Sequence, residues 1–169
     1  MTMNYKAAAD FWMEKDKDSV KMDREELAKE ITEFVKKHQV CAFATATGDF
    51  VRCTPIEYSF VDGSFYMFSE GGLKFRALEK NKHVCLAIYE ENAGFGKLAG
   101  LQVTGTAEIV EPWSEEYLKI AAYKKIPVEA LKKLPQTMNL IKIVPEVYDF
   151  LKSDLKKRGF GSRQQLVVK

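Results

Sequence analysis

Two cationic side chains, each placed beside a distinctive stretch of backbone, are the residues of this sequence best suited to hold an anion. Arg52 lies in a strand-like run, and Lys74 follows Gly71-Gly72 where a helical pattern begins. A guanidinium offers a planar fork to phosphate oxygens, and an ammonium adds a point charge. Glycines let backbone approach a ligand closely, and the start of a helix offers free N–H groups. Together these features predict a phosphate site beside a sheet.

Other residues of the same region are candidates for the rest of a ligand. Ser69 and Thr54 carry hydroxyls for a phosphate or a ribityl chain, and Pro55 and Ile56 are candidates to line a flat aromatic ring. Gln102 lies on the polar face of a later strand. Each has an ordinary alternative as strand composition, core packing or solvent-facing surface, and residue type alone does not decide between the two.

The elements that must position these residues follow from hydrophobic periodicity. Period-two runs predict strands, Asp62-Gly63 predicts a hairpin, and helical spacing after Asp23 predicts a capped helix to about Lys37. The strands are expected at 40–47, 50–60, 64–69, 83–89, 101–110 and 138–144, and the other helices at 5–13, 73–80, 114–125 and 128–134. Pro145 should end the last strand or place it at an edge, with 146–150 continuing after a bulge.

This order of elements predicts a mainly β protein with flanking helices. Hairpin-linked strands without regular strand–helix alternation are typical of an antiparallel barrel. The prediction divides the chain into an N-terminal helix and linker at 1–22, a barrel domain at 23–151 and a C-terminal tail at 152–169, whose structure the pattern does not assign.

Composition argues against several classes of function. The 169 residues include 26 basic and 24 acidic side chains, and a net charge of +2 gives no indication of nucleic acid or an anionic membrane. No apolar run approaches the roughly 20 residues that cross a bilayer. Three cysteines without a C-x-x-C pair indicate a reduced, cytoplasmic setting. The two histidines, His38 and His83, are not spaced as metal ligands or as part of a hydrolytic triad.

Residues from about 26 to 150 resemble the FMN-binding split-barrel family related to pyridoxamine 5'-phosphate oxidase. The resemblance is carried by the combination of CAFAT at 41–45, RCTPIEY at 52–58, FYMFSEGGLK at 65–74 and LQVTGTAE at 101–108. It is strongest with the small bacterial branch of general stress proteins and nitroimidazole-reductase-like proteins. The family implies a six-stranded antiparallel split β-barrel, a homodimer and FMN bound between the subunits.

The resemblance also implies roles for particular residues. Arg52 matches the arginine on the FMN phosphate, Thr54 and Ile56 match contacts to the ribityl chain and ring, and Leu73 and Lys74 match the phosphate loop. Gln102 lies near the family's strand-five glutamine, offset by two residues. The full set of expected cofactor-binding residues is Arg52, Thr54, Pro55, Ile56, Ser69, Leu73, Lys74 and Gln102.

Two departures argue against pyridoxamine phosphate as the substrate. The vitamin B6 oxidases carry an arginine–histidine pair near the C-terminus, whereas no histidine follows His83 here, and Glu57 stands where their strand-two motif ends in lysine. The expected function is therefore an FMN-dependent oxidoreductase that uses a small-molecule electron donor and acceptor, with no catalytic side chain assigned. The alternative is a non-catalytic module that binds flavin or haem as a store or sensor.

Overall fold

The computed structural model describes residues 3–91, 94 and 96–168. Its helices are α1 (Tyr5–Asp16), α2 (Arg24–Lys37), α3 (Lys74–Lys80), α4 (Glu115–Tyr123) and α5 (Val128–Lys132), with a 3₁₀ helix at Ser153–Arg158. Its strands are β1 (Val40–Thr47), β2 (Phe50–Glu57), β3 (Ser59–Val61), β4 (Ser64–Ser69), β5 (His83–Tyr89), β6 (Ala99–Val110), β7 (Asn139–Lys152) and β8 (Arg163–Val167).

All the strands belong to one antiparallel sheet, which confirms the predicted mainly β fold with flanking helices. The strand order is β2-β1-β5-β6-β7-β4-β3, and β8 pairs with β7. The structure has eight strands where six were expected. The run 50–60 divides into β2 and β3, and the unassigned tail contributes the 3₁₀ helix and β8.

The side chains of successive residues alternate between a core-facing and an outward-facing side of the sheet, as the period-two pattern of the strands predicts. Cross-strand pairing aligns an inward row that begins at the half-buried Thr54 and continues through the core side chains Phe43, Leu86, Val103 and Tyr148. The neighbouring outward row is Pro55–Ala42–Ala87–Gln102–Asp149. Because side chains alternate across a strand, every residue of β2 belongs to one or the other face.

Helix α2 closes one side of the core. The carboxylate of Asp23 caps it by accepting the N–H groups of Glu25 and Glu26 at 2.8 and 3.3 Å. Its buried stripe is Leu27, Ile31, Phe34 and Val35. Ion pairs with Lys152 and Arg158 attach Glu30 of this helix to the end of β7 and the 3₁₀ helix. Arg158 also pairs with Glu26, so the 3₁₀ helix is held against α2.

The long strand β7 passes Pro145 without ending. Thr104 pairs with Val147 and Gly105 pairs with Pro145, so Glu146 is the extra residue of a bulge, as the sequence predicted. The bulge lets β7 continue to Lys152 despite the proline. None of the helices in the described part of the chain has both the length and the apolar character needed to cross a bilayer.

Candidate functional site

A compact turn between β4 and α3 brings Ser69 and Lys74 together. Gly71 and Gly72 both have positive φ, +141° and +102°, which favours glycine at each position. The Ser69 hydroxyl accepts the N–H of Gly71 at 3.2 Å and donates to the carbonyl of the same residue at 3.1 Å. The Lys74 ammonium donates to that carbonyl oxygen as well, at 2.5 Å. Two predicted ligand donors therefore converge on one backbone oxygen.

The side chain of Lys74 is buried to an unusual degree for a lysine. Only 7% of the residue is exposed, its Nζ lies 5.4 Å from the centre of the Phe75 ring, and burial lowers its pKa below the usual value. Among the described residues no carboxylate forms an ion pair with it. Since a poorly hydrated cation gains from an anionic partner, this ammonium is well placed to bind one.

The other predicted cation, Arg52, lies on a neighbouring element. Strand β2 is at the edge of the sheet, and α3 packs against both β2 and β1. Arg52 pairs with Thr45 of β1 and shares the core-side face of β2 with Thr54 and Ile56. Arg52 is exposed, Thr54 is half-buried, and Ile56 packs against the core. The Thr45 hydroxyl is buried without a hydrogen-bond partner in the described structure.

Pro55 and Gln102 lie on the opposite, outward face. They belong to the row that runs through Ala42 and Ala87, and both are exposed. The structure thus groups Ser69, Leu73 and Lys74 in one turn, with Leu73 48% exposed, and places Arg52, Thr54 and Ile56 on the adjacent strand. Within one chain it separates Gln102 and Pro55 from both groups.

Three open clefts of 480 to 490 Å³ lie away from the glycine turn. One of them includes the outward-facing Pro55 and Ala42, together with Val40 and Tyr89. The other two follow the C-terminal half of α2, one toward the 3₁₀ helix and one toward α4. None of the three is lined by Ser69 or Lys74, and each of these two residues is only 7% exposed.

Sequence reasoning missed the carbonyl oxygen of Gly71, to which both donors bind. The Gly-Gly pair was the available signal, since it marks backbone that adopts positive φ and approaches side chains closely. The sequence reasoning also relied on a free helix start, and α3 proves to be short, at seven residues. In the ranges that the structure describes, no three His, Cys, Asp or Glu side chains meet as a metal site.

Comparison with known proteins agrees with this architecture. The family model for pyridoxamine 5'-phosphate oxidase matches residues 27–152. No curated protein sequence is significantly similar to the chain. A proposed pyridoxamine 5'-phosphate oxidase of known structure from Listeria innocua is 26% identical, with 74% of this chain and 98% of that chain covered and a TM-score of 0.59.

Two further structures show a likeness of fold. An FAD-binding protein from Mesorhizobium loti is 20% identical, with 72% of this chain and 89% of that chain covered and a TM-score of 0.59. The haem storage protein HutZ from Vibrio cholerae is 22% identical, with coverages of 74% and 92% and a TM-score of 0.59. Proteins with this fold are thus described as binding either flavin or haem.

Proposed function

The chain belongs to the pyridoxamine 5'-phosphate oxidase family, and from that premise we propose that it binds FMN and serves as an FMN-dependent oxidoreductase. The observation that carries the proposal is the buried ammonium of Lys74, which lies with the Ser69 hydroxyl in a glycine turn. Lys74 and Ser69 would hold the phosphate. A phosphate is a better partner for this cation than a neutral carbonyl, because it adds the attraction between two opposite charges to the hydrogen bond.

The remaining predicted residues suit the rest of the same ligand. Arg52 would add a second cation from β2, Thr54 and Ile56 would contact the ribityl chain and ring partly through their backbone, and Pro55 and Gln102 would meet the ring from the outward face. When bound, FMN would supply the redox chemistry, so these side chains need only bind, orient and exclude water. The stress-protein or nitroimidazole-reductase branch is the proposed setting, with a small molecule as electron donor.

A homodimer is part of the proposal because the outward face of β1, β2 and β5 carries little charge. The outward residues are Val40, Ala42, Ala44, Ala46, Val51, Cys53, Pro55, Glu57, His83, Cys85, Ala87 and Tyr89. Glu57 and His83 are the members of this set with an acidic or basic side chain. Depletion of charge on an apolar face is typical of the centre of a subunit interface.

The dimer is tested by placing a charge at the centre of this face. Ala44→Glu should convert a dimer into a monomer in sedimentation equilibrium, because it would bury an unpaired carboxylate at the interface. Lys133→Glu, an exposed position at the end of α5, is the matched control. A wild-type protein that sediments as a monomer, or a dimer that is unchanged by Ala44→Glu, contradicts the assignment of this face.

The second candidate is a non-catalytic store of flavin or haem, which the shared fold with HutZ favours. For haem, His38 is the better placed histidine. Its Nδ1 lies 2.7 Å from the carbonyl oxygen of Phe34, so a proton there leaves Nε2, which lies 3.7 Å from a Glu90 carboxylate oxygen, as the ring nitrogen that could bind iron. A Soret band on adding haem, lost in His38→Ala and kept in His83→Ala, would support this candidate over the flavin enzyme.

The leading proposal is tested by the visible spectrum of the purified protein and the mass of the ligand released by heat. Lys74→Met should weaken FMN binding by roughly 10- to 150-fold, the value of one hydrogen bond to a charged group. Lys80→Met, at the exposed end of the same helix, should leave it unchanged. Affinity for riboflavin, which lacks the phosphate, should be the same in all three proteins. A colourless protein that takes up no added FMN refutes the flavin assignment.

A further inference from the structure

The carbonyl oxygen of Gly71 occupies the place where a ligand oxygen would be expected. It accepts hydrogen bonds from the Lys74 ammonium and the Ser69 hydroxyl, the two side chains assigned to the phosphate above. The Ser69 hydroxyl has a single proton, so it cannot donate to this carbonyl and to an anion at once, whereas the Lys74 ammonium keeps further N–H groups. An anion oxygen bound here would also lie against the partly negative carbonyl oxygen. Both side chains would therefore bind an anion best with the carbonyl turned away.

The backbone at this point has the freedom to move. A Cβ at Gly71 would have no atom within 4 Å, and a Cβ at Gly72 would meet only the Nζ of Lys74, at 3.6 Å. The side-chain direction at both Cα atoms is thus open, and Gly72 is exposed. Because both residues are glycine, both signs of φ are available without a steric penalty.

We propose that the Gly71–Gly72 peptide is a two-position gate, and that it flips by about 180° when the ligand phosphate binds. The inference rests on the proposed function and concerns how its phosphate site opens. In the closed position the Gly71 carbonyl accepts hydrogen bonds from the Ser69 hydroxyl and the Lys74 ammonium. In the flipped position the Gly71 carbonyl points away from Ser69 and Lys74. The N–H of Gly72 then points to the place that the carbonyl oxygen occupied.

The flip exchanges one acceptor for one donor at the site. The Lys74 ammonium and the Ser69 hydroxyl are released, and the Gly72 N–H is added beside them. The hydrogen bond from the Gly71 N–H to the Ser69 oxygen is untouched, because it belongs to the preceding peptide. The open turn thus offers three converging donors to one phosphate, and the ligand must displace an internal competitor to reach them.

The two glycines respond differently to the flip, which supplies the test. Rotation of this peptide changes φ of Gly72 by about 180°, from +102° to a negative value that L residues adopt readily. The φ of Gly71, +141°, describes rotation about the N–Cα bond that precedes the flipping peptide, so it is unchanged. A side chain at position 72 therefore strains only the closed state, whereas a side chain at 71 strains both states.

The decisive experiment compares Gly72→Ala with Gly71→Ala in FMN titrations followed by flavin fluorescence. Gly72→Ala should raise FMN affinity by about 5- to 30-fold, which corresponds to the penalty for a side chain at positive φ. Gly71→Ala should give no gain. Riboflavin affinity should not change in Gly72→Ala, because that ligand has no phosphate to open the gate.

Equal or weaker FMN binding by a folded Gly72→Ala protein overturns the gate and leaves FMN binding intact. Failure of the wild-type protein to bind FMN overturns the proposed function and this inference with it. A crystal structure of the wild-type complex gives an independent readout that requires no variant to fold. A Gly71 carbonyl still bonded to Lys74 in that complex refutes the flip, and a carbonyl turned away supports it.

Discussion

Gly105 is predicted to be indispensable to the sheet that carries the candidate site. It lies in β6 beside the bulge of β7, and a Cβ there would stand 2.4 Å from the Val144 carbonyl oxygen. The same Cβ would be 3.1 Å from the Val144 carbonyl carbon and 3.2 Å from Cγ2 of Ile143. The nearest obstacle is backbone, so Gly105→Ala must move the two strands apart rather than turn a side chain.

The magnitude follows from two costs. Overpacking of a core costs roughly 1–3 kcal/mol, and a disturbed ladder hydrogen bond adds about 1 kcal/mol. Gly105→Ala should therefore lower the free energy of unfolding by about 2–4 kcal/mol. For a domain of this size the melting temperature should fall by roughly 5–15 °C.

Gly100→Ala is the matched control, since Gly100 lies in the same strand. A Cβ there would find its nearest neighbours at 3.6 Å and 3.7 Å, which is ordinary contact. Replacing a strand glycine by alanine gains up to about 1 kcal/mol, so the control should be neutral or stabilising. Urea unfolding followed by far-ultraviolet circular dichroism, at one protein concentration, measures both variants. Equal free energies of unfolding for the two would refute the reasoning.

Three further predictions concern charge and capping. The hydrogen bond from Lys152 is the main cause that lowers the pKa of Glu30 in the folded protein. The stability that Glu30 contributes is therefore present above its unfolded pKa near 4.5 and is lost as pH falls through the folded pKa. Glu30→Gln should reduce this loss of unfolding free energy at acid pH, as measured by urea titrations. Because burial lowers the pKa of Lys74, FMN affinity should fall as pH rises through a value below 10.5, and Lys74→Arg should move the fall upward. Asp23→Ala should lower the free energy of unfolding by about 1 kcal/mol, because it removes the N-cap of α2. Asn4→Ala removes the N-cap of α1, a helix without buried residues, and should leave the free energy of unfolding unchanged.

The fold was predictable from the sequence wherever local pattern and long-range pairing agree. The break between β2 and β3 is where they differ. Alternation runs unbroken through Tyr58, but its N–H donates to the Gln39 carbonyl and its hydroxyl donates to the Val35 carbonyl. The first bond continues the pairing with β1, and from Ser59 onward the chain pairs with β4 instead. A period-two pattern carries no information about such partners, so it predicted one strand in place of two.

The candidate site also has one part that local sequence predicts and another that depends on long-range strand pairing. The turn that holds Ser69 and Lys74 is local, and the glycine pair with its flanking donors was visible in the sequence. The position of Gln102 relative to Arg52 depends on the register of the strands between them. Pairing carries Pro55 through β1 and β5 to Gln102, on the opposite face from Arg52. The spacing of residues along the chain could not show this separation.

Because the glycine turn and the outward row from Pro55 to Gln102 are separate in one chain, the two ends of a long ligand would be held by different surfaces. The turn that carries the proposed phosphate donors belongs to one chain, and Asn139 fixes its start by donating to the Ser69 carbonyl at 3.2 Å. The outward row from Pro55 to Gln102 has exposed ends and half-buried alanines between them, and a single sheet face can contact a flat ring on only one side. Enclosing the ring then requires a second surface, which the proposed dimer supplies. The phosphate end should therefore depend on the glycine gate, and the ring end on the partner subunit.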